Sequence, residues 1–276
     1  MTITTIVINL DRDVARMEHM RTQLDRLSMP FERLGAVNGA VLPEEVKHYF
    51  TDPGAFLSPG EIGCYASHLI LCDRIARGLL QAPVLVLEDD VELSANLPFL
   101  LRRLIAELPS DWDIVRLSRA SKRAEMRVAR LDPEHELVRF SHVPTSTGAY
   151  LISRQGAEKF LAPRTRRLPV DQDLRRVWAW RLNMFGVSPA PVRADVLEQS
   201  SINLSGVARA SQIARREATM RRQRFFESAN RGWRGMQDFG ARRWFMAEVL
   251  NLAARLAPRR ARQAFLAWTR TQLAEG

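Results

Sequence analysis

The run Pro83-Val84-Leu85-Val86-Leu87, followed at once by Glu88-Asp89-Asp90, constrains this chain more than any other stretch. An unbroken apolar run bounded by proline fits a strand buried on both faces, as in a sheet covered by helices on each side. Such a strand cannot carry three carboxylates through the core, so the chain must leave the sheet there. Ligands of open α/β sheets bind at these carboxyl ends. Adjacent carboxylates repel unless a cation or a set of donors neutralises them, and a divalent metal is the economical explanation. Oxygen-rich sites of this kind suit Mg²⁺ or Mn²⁺, which keep waters and bridge to substrate phosphates. The alternative is a solvated acidic loop leading into the helix near Asn96.

The flanking sequence repeats the alternation of strand and helix. Residues 3–8 read as a buried strand, and Val14, Met17, Met20, Leu24 and Leu27 then recur at helical spacing. A second strand is expected over 31–37. Ser58, Pro59 and Glu61 form a helix start, with Ser58 as N-cap and Glu61 closing a capping box, and that helix is expected to run to about Leu80. Further helices are expected over 97–108, from Ser153 to Leu161, and from Pro169 through Val177 and Trp178; further strands over 113–117, 137–142 and 148–152. Residues 119–136 are highly charged without periodicity, which predicts an exposed hairpin or loop. Together these elements predict an α/β fold with a mainly parallel central sheet. Cys64 and Cys72 lie on one predicted helix, about 12 Å apart at 1.5 Å per residue, too far to bridge.

The net charge of +10 is unevenly placed. Residues 205–276 hold fifteen arginines, no lysine and five acidic residues, so the tail accounts for all of it and residues 1–204 are neutral overall. This predicts two units, a body over 1–204 and a basic helical extension over 205–276. In the extension, Phe245, Val249, Leu252 and Leu256 form one apolar stripe. Basic amphipathic helices with Trp and Phe suit an anionic membrane surface. The alternatives are a helical hairpin packed on the body or on a second subunit, and, third, an RNA-binding arm; no recognised nucleic-acid motif supports the last. No run of about 18 apolar residues and no secretory leader pattern occurs, so a cytoplasmic protein, peripheral on the inner membrane face, is expected.

Four segments carry a family resemblance: Val7-Ile8-Asn9-Leu10-Asp11-Arg12 with Arg16; Leu57-Ser58-Pro59-Gly60-Glu61-Ile62-Gly63-Cys64 through His68; Val84 to Val91; and Gly148-Ala149-Tyr150-Leu151-Ile152-Ser153 with Gly156-Ala157-Glu158. In this order they resemble glycosyltransferase family 25 of lipopolysaccharide biosynthesis, and the likeness extends through 168–171 and 199–202. The resemblance implies a GT-A-like nucleotide-sugar transferase, a UDP-galactose donor, a surface glycan or glycolipid acceptor, and inverting displacement. It also implies Asp90 as the direct metal ligand, with Glu88 or Asp89 assisting, and Asn9, Arg12 and Arg16 near the nucleotide. Asp13-Val14-Ala15 departs from the common family form, which leaves the donor contacts there open.

Other roles follow from chemistry. A carboxylate must take the proton of the attacking hydroxyl, and Asp171, at a helix start, is the candidate, with Asp173 as runner-up. A plain helix-start residue stabilised by the macrodipole is the equal alternative for Asp171. Glu61 is read as capping partner or substrate contact, and His68, two turns on, as core histidine or donor contact. A non-catalytic carbohydrate-binding or membrane-associated protein that retained the fold is the rival function.

Overall fold

The computed structural model describes residues 3–52, 57–194, 227–256 and 258–274. Expectations for 199–202, for the boundary near 205 and for the arginines between 209 and 224 lie outside these residues.

Ten strands and ten helices follow in chain order among the described residues: β1 (Thr4–Asn9), α1 (Val14–Arg26), β2 (Glu32–Gly35), α2 (Glu44–Lys47), α3 (Pro59–Ala76), β3 (Val84–Glu88), β4 (Glu92–Leu93), α4 (Leu97–Glu107), β5 (Ile114–Arg116), β6 (Glu125–Arg130), β7 (Glu136–Phe140), β8 (Ala149–Ile152), α5 (Arg154–Phe160), α6 (Val170–Leu174), α7 (Val177–Trp180), β9 (Met184–Ser188), β10 (Val192–Arg193), α8 (227–239), α9 (Ala241–Leu256) and α10 (Arg259–Gln272). Eight strands form one mixed sheet in the order β2-β1-β3-β8-β5-β9-β7-β6. Tracing the pairings shows six strands pointing one way, with β8 and β7 reversed. The expected common direction is therefore present, but because both reversed strands sit inside the sheet, four of the seven pairings are antiparallel.

Period-two alternation sorts each central strand between two cores. Ile6, Ile8, Val84, Val86, Ile114, Tyr150 and Ile152 face α3, α5, α6 and α7; Val7, Leu85, Leu87, Val115, Ala149 and Leu151 face α1 and α4. The result is a helix-sheet-helix sandwich with β3 buried at its centre, as its composition requires. The capping box forms: Ser58 Oγ accepts from the Glu61 amide and Glu61 Oε2 from the Ser58 amide at 2.8 Å. The loop after β2 packs backbone to backbone on the first turns of α3, since a Cβ on Gly39 would stand 1.8 Å from Pro59 O and one on Gly63 2.4 Å from Val37 O. Only glycine allows that approach.

Arg166 is fully buried, its guanidinium ringed by Tyr49, Tyr65, Phe160 and Trp180 at 4.8, 5.4, 5.2 and 4.1 Å. Its Nη2 donates to Phe160 O at 2.7 Å, tying α5 to α3 and α7.

Three expectations need correction. The segment after Pro169 breaks into two short helices, α6 and α7, at Arg175–Arg176. Residues 125–130 and 136–140 do form a hairpin, but it is not exposed: Ala124 and Met126 are fully buried beneath α8 to α10. The stripe of Phe245, Val249, Leu252 and Leu256 faces outward, at 72, 50, 60 and 83% exposure, while Trp244, Ala247, Asn251 and Ala254 pack inward. Small residues allow α9 to approach the hairpin closely, and Asn251 satisfies it chemically: its Oδ1 accepts from the Ala124 amide at 2.7 Å and its Nδ2 donates to Ser141 Oγ at 3.2 Å. The described tail thus packs on the body, one of the alternatives above.

Arg270 of α10 closes this contact. It meets Glu125 at 3.1 Å and Glu136 at 3.0 Å, and also reaches Ser188. Removing one partner of a buried ion pair leaves an uncompensated charge and costs about 3–5 kcal/mol. Arg270→Met should lower the thermal midpoint accordingly, and Glu125→Gln in the same chain should recover part of the loss. An unchanged midpoint in the single variant would show that α10 does not depend on this pair.

Candidate active site

Parallel β1 and β3 end side by side, and what their last residues do decides the site. Asn9 closes β1, and its Nδ2 donates to Asp89 Oδ2 at 2.7 Å; Arg16, on the first turn of α1, donates from Nη1 to Asp89 Oδ1 at 3.0 Å and lies 3.6 Å from Asp90 Oδ2. Asp89 is thereby held by two donors, and its repulsion of Glu88 and Asp90 is offset without leaving the strand end. Arg33 sets the orientation of the Asn9 amide, with Nε donating to Asn9 Oδ1 at 2.9 Å. Gln23 pins the following backbone, donating to Val91 O at 2.9 Å and accepting from the Leu93 amide at 2.8 Å.

A cavity of about 500 Å³ opens over these strand ends. Asn9, Arg12, Arg16, His68, Glu88, Asp89 and Asp90 all line it, with Gly39, Pro59, Gly60 and Cys64 opposite. Arg12 stands at the rim, its side chain 71% exposed. Glu61 does not line the cavity; its carboxylate is engaged in the capping box. His68 is buried, its Nδ1 2.8 Å from the Tyr150 hydroxyl and its Nε2 3.5 Å from Glu88 Oε1, so it is both a core residue and a wall of the cavity. Burial pushes the Glu88 carboxyl up, but His68, Thr147 and Arg116 outweigh it and hold it below the usual range. Glu88 Oε1 itself makes no hydrogen bond.

Asp171 and Asp173 sit two residues apart on α6 and therefore point apart. Asp173 faces the core, accepting from the Tyr65 hydroxyl at 3.0 Å and from Arg176 at 3.2 Å. Asp171 is half-buried outside the first cavity, and burial raises its carboxyl above the ordinary range despite Arg116 nearby. Desolvation pushes the half-buried Cys64 thiol well up, and the charges of Glu88, Asp171, Asp90 and Glu61 add to it.

Arg116 completes the arrangement and was not foreseen. It ends β5 on the face of Ile114, fully buried, with Nη2 donating to Pro144 O at 2.6 Å and with no hydrogen bond to Nε or Nη1. Burial lowers it to about 10, while Asp171, Tyr150 and Glu88 favour its charge. An arginine within the apolar strand 113–117 was the available signal: a charge in a buried strand needs acidic company. Gln23, a polar residue on the apolar face of α1, gave a similar hint.

Two donor sets could receive a cation. Asp90 and Glu88 offer oxygens to the cavity, and Cys64 Sγ, a His68 nitrogen and a Glu88 oxygen lie within 4.8 Å of one another. The first suits a hard ion such as Mn²⁺ or Mg²⁺, the second a softer one such as Zn²⁺.

A family model described as glycosyltransferase family 25 (LPS biosynthesis protein) matches residues 2–174. The chain is 34% identical over 185 residues to the inactive glycosyltransferase 25 family member 3 of Mus musculus. It is 33% identical over 187 residues to a glycosyltransferase 25 family member of Anopheles gambiae, and 31% over 183 residues to procollagen galactosyltransferase 1 of Danio rerio. Each match covers 61% of this chain and 30% of the relative. With the family match running from β1 through α6 and so including every residue of the strand-end cavity, the chain belongs to glycosyltransferase family 25.

Proposed function

We propose that this chain is a metal-dependent transferase with a GT-A-like fold that moves a sugar, galactose in our reading, from a UDP-sugar to a glycan or glycolipid of the bacterial surface. The observation that carries the reading is the strand-end cavity in which Glu88, Asp89 and Asp90 meet Asn9, Arg12 and Arg16. The donor sugar is supported by the name of the Danio rerio relative and the acceptor class by the description of the family.

The residues fit a divalent ion held by Asp90 with Glu88 assisting, because the buried Glu88 Oε1 has no hydrogen bond and both carboxylates line the same cavity. Mn²⁺ or Mg²⁺ bound there would offset the charge of the diphosphate. Asp89 already engages Arg16 and so orients it, while Arg12, exposed at the rim and 3.8 Å from Asp13, can turn toward a phosphate. Asp171 takes the proton of the acceptor hydroxyl as its oxygen attacks the anomeric carbon; the bond to the UDP oxygen breaks, UDP carries the electron pair away, and the configuration inverts. Asp173 is occupied by Tyr65 and Arg176, which favours Asp171 for this role.

A non-catalytic carbohydrate-binding reading is favoured by one observation, that the Mus musculus relative is named inactive. Mn²⁺-dependent release of UDP separates the two readings. The membrane reading of the tail is supported by the outward stripe of α9, with the exposed Arg242 one turn from Phe245. No described helix is long and apolar enough to cross a membrane.

Asp90→Asn should abolish turnover while leaving the thermal midpoint near that of the wild type; metal-independent transfer by the wild type would overturn the assignment. Asp171→Asn should lower kcat about 10²- to 10⁴-fold with little change in UDP binding. Because a base acts only when ionised and burial raises Asp171, the acid limb of wild-type kcat/KM against pH should lie above the ordinary Asp value of about 3.9. Val249→Glu with Leu252→Glu, both exposed, should keep the fold but prevent co-sedimentation with phosphatidylglycerol vesicles; equal sedimentation of variant and wild type would return the tail to a purely structural role.

A further inference from the structure

A second concavity, of about 400 Å³, lies between the body and the tail. Six cations line it: Arg119, Lys122, Arg123 and Arg175 from the body, Arg255 and Arg262 from α9 and α10. No described carboxylate does. Two carboxylates act on it from outside the lining: Glu248, with Oε1 3.7 Å from His142 Nδ1 and its charge felt by Arg123, and Asp171, whose charge is felt by Arg175. Arg119 is held at a φ of +65°, a conformation that non-glycine residues rarely adopt, and its Nη1 donates to Thr145 O at 2.8 Å. Like charges gathered in a recess destabilise one another unless an anion joins them. Burial and the surrounding arginines accordingly depress Arg123, and push His142 down to about 3.

The recess is joined to the strand-end cavity by one segment. Residues 143–147 run from one to the other: Arg175 donates to Val143 O, Arg116 to Pro144 O and Arg119 to Thr145 O, and Thr147 bonds the Glu88 carboxylate. Asp171 lies close enough to Arg175 for each to feel the other's charge.

Resting on the transferase reading, we infer that this recess binds an anionic group, a phosphate ester or a carboxylate, carried by the sugar acceptor. A concave site reads a compact anion through converging donors, whereas a bilayer meets a convex or flat face such as the outer stripe of α9. The tail's arginines therefore serve two ends, and those of α9 and α10 that face the body complete the acceptor site.

The test uses the full chain in EDTA, with inorganic pyrophosphate as the probe in titration calorimetry. Pyrophosphate should bind the wild type and bind at least about tenfold more weakly to the Arg123→Gln/Arg255→Gln variant, since charge-assisted hydrogen bonds of this kind are each worth about a factor of ten. Arg123→Lys/Arg255→Lys should retain most of the affinity. The Gln variant should melt no earlier than the wild type, because it removes mutually repelling charges, and UDP with Mn²⁺ should bind it normally. Pyrophosphate binding that survives in the Gln variant but vanishes in Arg16→Gln would place the anion in the nucleotide cavity and overturn the inference. Loss of phosphatidylglycerol vesicle binding in the Gln variant would assign the recess to a lipid headgroup and overturn the acceptor. A wild type that binds pyrophosphate but not UDP would sink the transferase reading and leave the anion site standing.

Discussion

The hydrogen bond from Asn9 to Asp89 is the contact on which the site depends. It joins the last residue of β1 to the turn that ends β3, across eighty positions of sequence. Without it, and without Arg16 on the other oxygen, three consecutive carboxylates at the rim of a buried strand would repel one another and pull the turn toward solvent. With both donors in place, Asp89 becomes a structural anchor, and Glu88 and Asp90 are left facing the cavity. Gln23 and Arg33 extend the anchor, one gripping the backbone beyond Asp90, the other orienting the Asn9 amide.

The layers behind the site keep it rigid. Tyr150 and His68 share a hydrogen bond inside the α3 core and present His68 Nε2 toward Glu88. The buried Arg166 in its ring of aromatic side chains supports α3, α5 and α7 together, so that α6 is held against α3 with Asp173 inward. Carboxylates borne on so short a helix, Asp171 and Asp173, need this support to keep their positions, because five residues of α-helix have little stability of their own.

The tail changes the charge distribution of the whole surface. Arg270 neutralises Glu125 and Glu136 of the hairpin, and Arg176 of the body pairs with Glu227 of α8. These exchanges make the junction a polar contact around a small apolar centre of Met126, Phe239, Trp244 and Leu273. Among the described residues, no carboxylate joins Arg255 and Arg262 in the lining of the recess beside Arg123.

Much of the body was legible in the sequence. The apolar run ending in Glu88-Asp89-Asp90, the Ser58–Glu61 capping box and the Ser153 cap are local devices, acting over one to four residues, so their geometry follows from spacing. Seven of the residues expected around the donor do line one cavity, because strand ends of an α/β sheet converge by construction. Glu61 was legible as a cap for the same local reason. What spacing could not decide was which face of an element meets which neighbour. Asp171 and Asp173 are equivalent in sequence, and only the position of Tyr65, more than a hundred residues away, separates the buried one from the accessible one. The periodicity of α9 marks Phe245 to Leu256 as an apolar stripe, yet close packing on the hairpin and the Ala124 amide that donates to Asn251 select Ala247, Asn251 and Ala254 for the interior. Arg116 and the basic recess arise from contacts between distant segments. The sequence by itself determined the strand end and its charge; the tertiary structure decided which charges are paired with which, because Coulombic and hydrogen-bond partners are chosen by distance in space rather than along the chain.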